Sequence, residues 1–120
     1  MGDRVLFQVV SGKQSKAFGP VVYCHWSGEG APEIVQKLAE RMKGRANDID
    51  YATARLVQEC IGDDLGSMNT GFGVWNVDHR LTADDSHGDA GVVLVDCSDG
   101  FKCECLGGYL RVDDNGFPRY

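Results

Sequence analysis

The strongest constraint on the fold is a hairpin signal near the end of the chain. Two β-prone runs, residues 92–97 and 101–105, flank the short polar segment 98–100, which ends in Gly100. Such a three-residue loop is typical of antiparallel strands, because glycine adopts the positive φ that the loop requires. The predicted register pairs Asp96 with Lys102 and Val95 with Cys103, so the apolar and cysteine side chains share the face turned towards a core.

Two further β-prone segments open the chain. Residues 4–10 and 21–26 are rich in β-branched and aromatic side chains, and turn residues separate them. They are predicted to form a second hairpin. A short strand is predicted at 73–77, and another at 109–112, after a break in the path at Gly107 and Gly108.

The middle of the chain has the periodicity of two amphipathic helices. The first is predicted from Pro32 to Gly44, since proline suits the first turn of a helix. The second is predicted to begin at a cap formed by Asn47 or Asp48 and to end at Gly62 or Gly66. The predicted apolar stripe of the second helix consists of Tyr51, Ala54, Leu56, Val57, Cys60 and Ile61.

The order of these elements predicts the fold class. Two strands, two helices and then several strands favour an α+β fold over an alternating parallel one. We therefore expect a single domain spanning residues 1–120, with two consecutive helices packed on one face of a mainly antiparallel sheet of about five to six strands. Residues 78–88 are polar and are predicted to be a mobile surface loop.

The composition predicts a cytoplasmic protein. The sequence has no run near the ~20 apolar residues of a membrane-spanning helix, and its start lacks the pattern of a signal peptide. Its five cysteines are an odd number without a secretory signal, which indicates free thiols in a reducing compartment. If a phage encodes the chain, the expected location is the cytoplasm of the host cell.

The charge pattern indicates what kind of partner to expect. The net charge is −6, and residues 61–120 carry eleven Asp and Glu against four Lys and Arg. Such a field repels nucleic acid phosphates and attracts basic partners before contact, although an acidic balance also serves solubility alone. We expect a basic protein or ribonucleoprotein partner, with no direct nucleic acid or membrane binding. The oligomeric state stays open, a homodimer included.

No metal and no cofactor are expected. The segment 103–105 offers Cys103 and Cys105 as thiolate ligands, but the predicted register turns both into the core, where a free cysteine behaves as a small apolar side chain. The sequence contains no glycine-rich nucleotide loop, serine elbow or metalloprotease helix.

The densest polar cluster lies at residues 84–91 and supplies the candidate catalytic groups. His87 and Asp89 lie there, and His25 lies in the strand predicted at 21–26, directly after Cys24. Neighbouring strand residues point to opposite faces, so Cys24 would need His79 or His87 as its base. Arg55 is a further candidate for the same pocket. The alternative to catalysis is a hydrogen-bonded turn or a contact surface.

Aromatic residues also lie beside glycine-containing loops. Tyr23, His25 and Trp26 precede one such loop, and Phe72 and Trp75 follow another. Rings in these positions either anchor an interface or close the edge of a small core.

Four segments together resemble small uncharacterised proteins of phages and prophages. They are residues 23–28, 50–56, 86–92 and 107–110. The resemblance spans most of the chain and brings no catalytic motif. It implies an inhibitor of host machinery, of the kind represented by anti-CRISPR proteins that occlude nucleic-acid channels on basic complexes.

Two functional hypotheses follow. In the first, the chain binds a basic host complex and inhibits it by occlusion. The residues predicted to make this contact are Asp84, Asp85, Asp89, Asp96, Asp99 and Glu104. In the second, His25, His87 and Asp89 form the site of a small hydrolase or group-transfer enzyme, with Cys24 as an optional nucleophile.

Overall fold

The structure is a computed structural model that describes residues 2–12, 17–62 and 71–120. Its elements, in chain order, are β1 (Val5–Val10), β2 (Phe18–Cys24), α1 (Ala31–Arg41), α2 (Ile49–Ile61), β3 (Phe72–Trp75), β4 (Gly91–Asp96), β5 (Lys102–Leu106), β6 (Arg111–Val112) and β7 (Pro118–Arg119). Within the described part of the chain, neither helix is long and apolar enough to cross a bilayer.

The predicted fold class is confirmed. Five strands form one sheet in the order β3-β2-β1-β4-β5, and both helices pack against it. All neighbours in this sheet are antiparallel except β1 and β4, which run parallel. The sequence did not indicate this parallel pair. It arises because β4 enters the sheet beside β1 after the chain has passed through both helices and β3.

Turn residues and β-prone runs in the sequence correctly predicted two of the strand pairings. The first two strands form the predicted antiparallel pair. In the later hairpin Asp96 pairs with Lys102 and Val95 pairs with Cys103, as predicted. Gly100 has a φ of +63°, the left-handed conformation that the loop requires.

The helix boundaries also follow from capping residues. Asp48 caps α2 by accepting a hydrogen bond from the backbone N–H of Tyr51 at 3.0 Å, and Gly62 follows the last turn. The alternative end at Gly66 lies outside the described residues. α1 ends at Arg41, three residues before the predicted stop at Gly44.

The predicted apolar stripe of α2 needs one correction. Tyr51 and Ala54 are exposed, and Ala52 and Thr53 are buried in their place, together with Leu56 and Cys60. Residues 52, 56 and 60 follow one another at intervals of four, so they share one helix face. Alanine and threonine are weak markers of burial in a sequence, which is why the stripe was misplaced.

The helix side of the sheet carries the larger core. Alternate residues of β1, β2, β4 and β5 pack there against both helices. The buried side chains of this core include Val5, Phe7, Val9, Val22, Cys24, Val35, Leu38, Met42, Leu56, Val93, Val95 and Cys103.

The opposite face of the sheet is covered by a loop rather than by helices. We call residues 76–90 the covering loop; Leu81 from this loop packs with Leu6, Val92 and Leu94 of the sheet. The buried amide of Gln8 donates to the carbonyl oxygens of Gly19 and His79 and accepts from the N–H of Leu81. The segment predicted as a mobile surface loop does lie at the surface, with most of its side chains exposed, but Leu81 and the bonds to Gln8 attach it to the centre of the sheet.

Close backbone approach brings the end of β5 against the start of β4. A side chain at Gly108 would overlap the backbone of Ala90, and one at Gly91, where φ is +94°, would overlap the carbonyl oxygen of Leu106. Glycine is required at both positions. The sequence predicted a break in the strand path at Gly107 and Gly108. At Gly108 the backbone packs against Ala90, the last residue of the covering loop, and this contact holds the loop near the sheet.

Candidate functional site

Six carboxylates belong to the covering loop and to the hairpin of β4 and β5. Arg80 links these two segments through its contact with Glu104, and Lys102 lies near Asp99. We call this group the acidic surface, which consists of Asp78, Asp84, Asp85, Asp96, Asp99 and Glu104.

One part of the acidic surface is organised by His79. Its Nδ1 lies 2.9 Å from Oδ1 of Asp78, and its Nε2 lies 3.1 Å from both carboxylate oxygens of Asp85. Asp85 also accepts a hydrogen bond from the backbone N–H of Thr82, and this bond together with the contact to His79 lowers the pKa of its carboxyl. Hydrogen bonds to Asp78 and Asp85 raise the pKa of His79.

Arg80 connects the covering loop with β5. Its guanidinium donates to the carbonyl oxygen of Gly12 at 2.8 Å and lies 3.7 Å from the carboxylate of Glu104. Only 17% of the Arg80 side chain is exposed, against 61% for Glu104. The charge presented to solvent at this contact is therefore mainly negative.

The far end of the acidic surface is formed by Asp96 and Asp99. Asp96 lines a cleft of about 110 Å³ with Arg80 and Glu104, and Asp99 lies 3.8 Å from the ammonium group of Lys102. Burial of Asp96 opposes its ionisation, but hydrogen bonds from Ser98 and from the N–H of Gly12 outweigh that effect and lower its pKa.

Asp89 is separate from the other predicted contact residues. Its Oδ2 accepts from the Nε of Arg4 at 2.9 Å and from the Arg4 backbone N–H at 3.1 Å. These hydrogen bonds lower the pKa of the Asp89 carboxyl. The structure thus pairs Asp89 with a cation near the start of β1, whereas Asp85, Glu104 and Asp99 contact His79, Arg80 and Lys102.

A second candidate region is made of aromatic and imidazole rings. Tyr23 lies at its centre, with ring centroids 6.2 Å from His25, 5.8 Å from Trp75 and 5.5 Å from His87. Trp26 packs edge-on against His25 at 4.6 Å. We call this group, Tyr23, His25, Trp26, Trp75 and His87, the aromatic surface.

Two of the three proposed catalytic residues meet at this aromatic surface. Tyr23 bridges His25 and His87, and its hydroxyl lies 2.7 Å from Nδ1 of His25. The third, Asp89, is bonded to Arg4. Cavities of about 110 to 620 Å³ elsewhere in the described part of the chain are lined by other residues.

Two residues weighed for the catalytic pocket lie elsewhere. Cys24 is fully buried on the helix side of the sheet, whereas His79 and His87 belong to the covering loop on the other side. The proposed pair of Cys24 with either histidine is therefore not formed. Arg55 belongs to α2, where its guanidinium lies 4.7 Å from the ring of Tyr51.

The cysteines are free thiols in the structure. Cys103 is buried on the helix side as predicted, and burial raises its pKa. Burial also raises the pKa of Cys105 to about 11, so this thiol stays protonated at neutral pH. Within residues 2–12, 17–62 and 71–120, no group of three or more His, Cys, Asp or Glu side chains is arranged to hold a metal ion.

Sequence reasoning missed the residues that position both surfaces. Gln8 lies in an otherwise apolar strand, and a polar residue in such a place signals a buried, satisfied amide. Arg4 and Arg80 gave no comparable signal, because their partners are about 70 to 85 residues away in sequence.

A comparison with protein-family models, curated proteins and solved structures finds no match for this chain.

Proposed function

We propose that the chain is a binding protein that docks its acidic surface on a basic, nucleic-acid-binding host complex and inhibits that complex by occlusion. This is the action expected from its resemblance to phage proteins of the anti-CRISPR kind. Its partner is a protein or ribonucleoprotein, and the chain itself makes no direct contact with nucleic acid.

One observation carries the proposal: carboxylates project from the acidic surface while one of its two cations, Arg80, is largely covered. The side chains of Asp78, Asp99 and Glu104 are 101%, 67% and 61% exposed, against 17% for Arg80 and 59% for Lys102. Exposed carboxylates therefore outnumber exposed cations here, and such a surface favours association with a basic partner.

The test compares two variants that carry the same change in net charge. The surface variant is Asp84→Asn with Asp99→Asn and Glu104→Gln, and the control carries Glu33→Gln, Glu40→Gln and Asp50→Asn on the helices. Each protein is used to capture partners from host lysate at low and high salt, and the nucleic-acid binding of the captured complex is then measured.

The proposal predicts a stoichiometric basic partner that wild type and control capture at low salt and release at high salt, because salt screens exposed charges beyond about 8 Å. The captured complex should lose nucleic-acid binding as the protein is added. Equal capture by the surface variant, or a complex that still binds nucleic acid, contradicts the proposal.

A small hydrolase or group-transfer enzyme is the second candidate. The contact of 2.7 Å between the Tyr23 hydroxyl and His25 favours it, because an imidazole in that position can accept a proton. Catalysis predicts that His25→Ala or His87→Ala abolishes function at substoichiometric dose while folding is kept. Equal tolerance of both substitutions would exclude it.

A further inference from the structure

The aromatic surface leaves its largest rings open to solvent. Trp26 is 54% exposed and Trp75 is 39% exposed, and these are both tryptophans of the chain. A tryptophan offers a large, rigid contact area, and exposed tryptophans grouped with other rings are typical of the anchors of a binding interface.

Charge decides which kind of group suits these rings. The net charge of the chain is −6, and the covering loop carries His87 of the aromatic surface two residues after Asp85 of the acidic surface. The net charge of the chain therefore favours cations over phosphates and anionic lipid headgroups. Arg4, the cation next to Gly88, is paired with Asp89. The electron-rich face of an indole ring attracts the same class of group.

The chain already uses an exposed ring in this way. On α2 the guanidinium of Arg45 lies 4.0 Å from the centroid of the Tyr51 ring, and that of Arg55 lies 4.7 Å from it. Both distances are within the ~6 Å over which a cation is attracted to an aromatic face. Tyr51 is thus occupied from within the chain and serves as an internal reference for the aromatic surface.

We propose that the aromatic surface receives an arginine side chain of the basic partner, with its guanidinium against the ring of Trp75. This inference rests on the proposed function and names the group that the partner contributes. The centroids of Trp75 and Tyr23 are 5.8 Å apart, so the Tyr23 ring packs directly beside Trp75 and holds it in place. Arginine is preferred to lysine because its planar, weakly hydrated group stacks on an indole.

The test uses oligoarginine and oligolysine peptides of equal length and charge as probes. Their affinities are measured by calorimetry at fixed salt for wild type, Trp75→Leu, Trp75→Phe and the control Tyr51→Leu. Leucine keeps apolar area but removes the aromatic face, and phenylalanine keeps a face. Circular dichroism verifies that each variant is folded, and tryptophan fluorescence reports directly on the aromatic surface.

We expect oligoarginine to bind wild type roughly tenfold more tightly than oligolysine, as one well-placed cation–π contact allows. Trp75→Leu should remove this preference while oligolysine binding stays unchanged. Trp75→Phe should keep part of the preference and Tyr51→Leu all of it.

Equal affinity of wild type for the two peptides, or an unchanged preference in Trp75→Leu, overturns the inference and leaves the proposed function standing. If neither peptide binds at low salt, both the inference and the proposed function are overturned. A fluorescence change that follows protein concentration alone shows that a second copy occupies the rings, which also overturns the inference.

Discussion

The two sides of the sheet are built in different ways. On the helix side, apolar residues of four strands pack against α1 and α2. On the other side, a loop covers a smaller apolar group and is attached to the sheet by the buried Gln8 amide. The helix side therefore provides most of the stability, and the loop side presents charged and aromatic groups to solvent.

The difference follows from how each covering element satisfies its backbone. A helix forms its own hydrogen bonds and can lie on an apolar sheet without help. A loop cannot, and a buried backbone group without a partner is costly. Gln8 supplies two hydrogen bonds to the backbone of the covering loop, at His79 and Leu81, and a third to Gly19 of β2. This explains why a polar side chain lies in the middle of the sheet.

The largest effect is expected from truncating the helix-side core. Leu56→Ala should reduce the free energy of unfolding by about 2–5 kcal/mol, because Leu56 is fully buried between α2 and the sheet. Leu94→Ala on the loop side should cost less, since Leu94 already borders a cleft open to solvent. Urea denaturation of both variants measures the difference, and an equal or larger loss for Leu94→Ala would contradict the comparison.

The next effect tests the attachment of the covering loop. Gln8→Met should reduce the free energy of unfolding by about 1–3 kcal/mol, because it removes the bonds to Gly19 and His79 and leaves the buried N–H of Leu81 without its acceptor. Hydrogen exchange at the Leu81 amide should become faster. The control Leu6→Met lies on the same face of the same strand and should cost less than about 1.5 kcal/mol. Unchanged exchange in Gln8→Met would show that the amide does not hold the loop.

The smallest effect is a pH dependence confined to the covering loop. The pKa of His79 is raised by Asp78 and Asp85, so the stabilisation from its imidazolium is complete below about 6.5 and is lost as pH rises through the folded pKa. The pKa values of Asp78 and Asp85 are lowered, so their contribution is present above about 3.9 and is lost as pH falls through their folded values.

The contacts of His79 should therefore be tightest between those two limits. An NMR titration should give a pKa for His79 above the ordinary histidine value. His79→Gln should abolish the loss of stability that occurs as pH rises through the folded pKa of His79. His87→Gln is the matched control in the same loop, and this variant should still lose stability as pH rises through the folded pKa of His79. A titration of His79 at or below the ordinary value would contradict the charge arrangement.

Local signals were sufficient for most elements of the fold. Gly100 predicted the later hairpin, and Asp48 was one of two residues that predicted the start of α2. Both signals are local, because each residue acts on the backbone of residues within a few positions of it. The same reasoning failed for Ala52 and Thr53, whose burial depends on which face of α2 meets the sheet. For the candidate site, the sequence proposed individual residues, but which of them lie together depends on contacts between distant parts of the chain, such as Arg4 with Asp89 and Tyr23 with His87.

The sequence by itself determined the hairpins, the two helices, the α+β order and the acidic balance, because turn residues, capping residues and periodicity act over a few positions. Only the tertiary structure decided the parallel pairing of β1 with β4 and the burial of the covering loop on Gln8. It also joined Tyr23 to His87 and Arg4 to Asp89. These contacts link residues far apart in the chain, and their partners are chosen when the two sides of the sheet are packed.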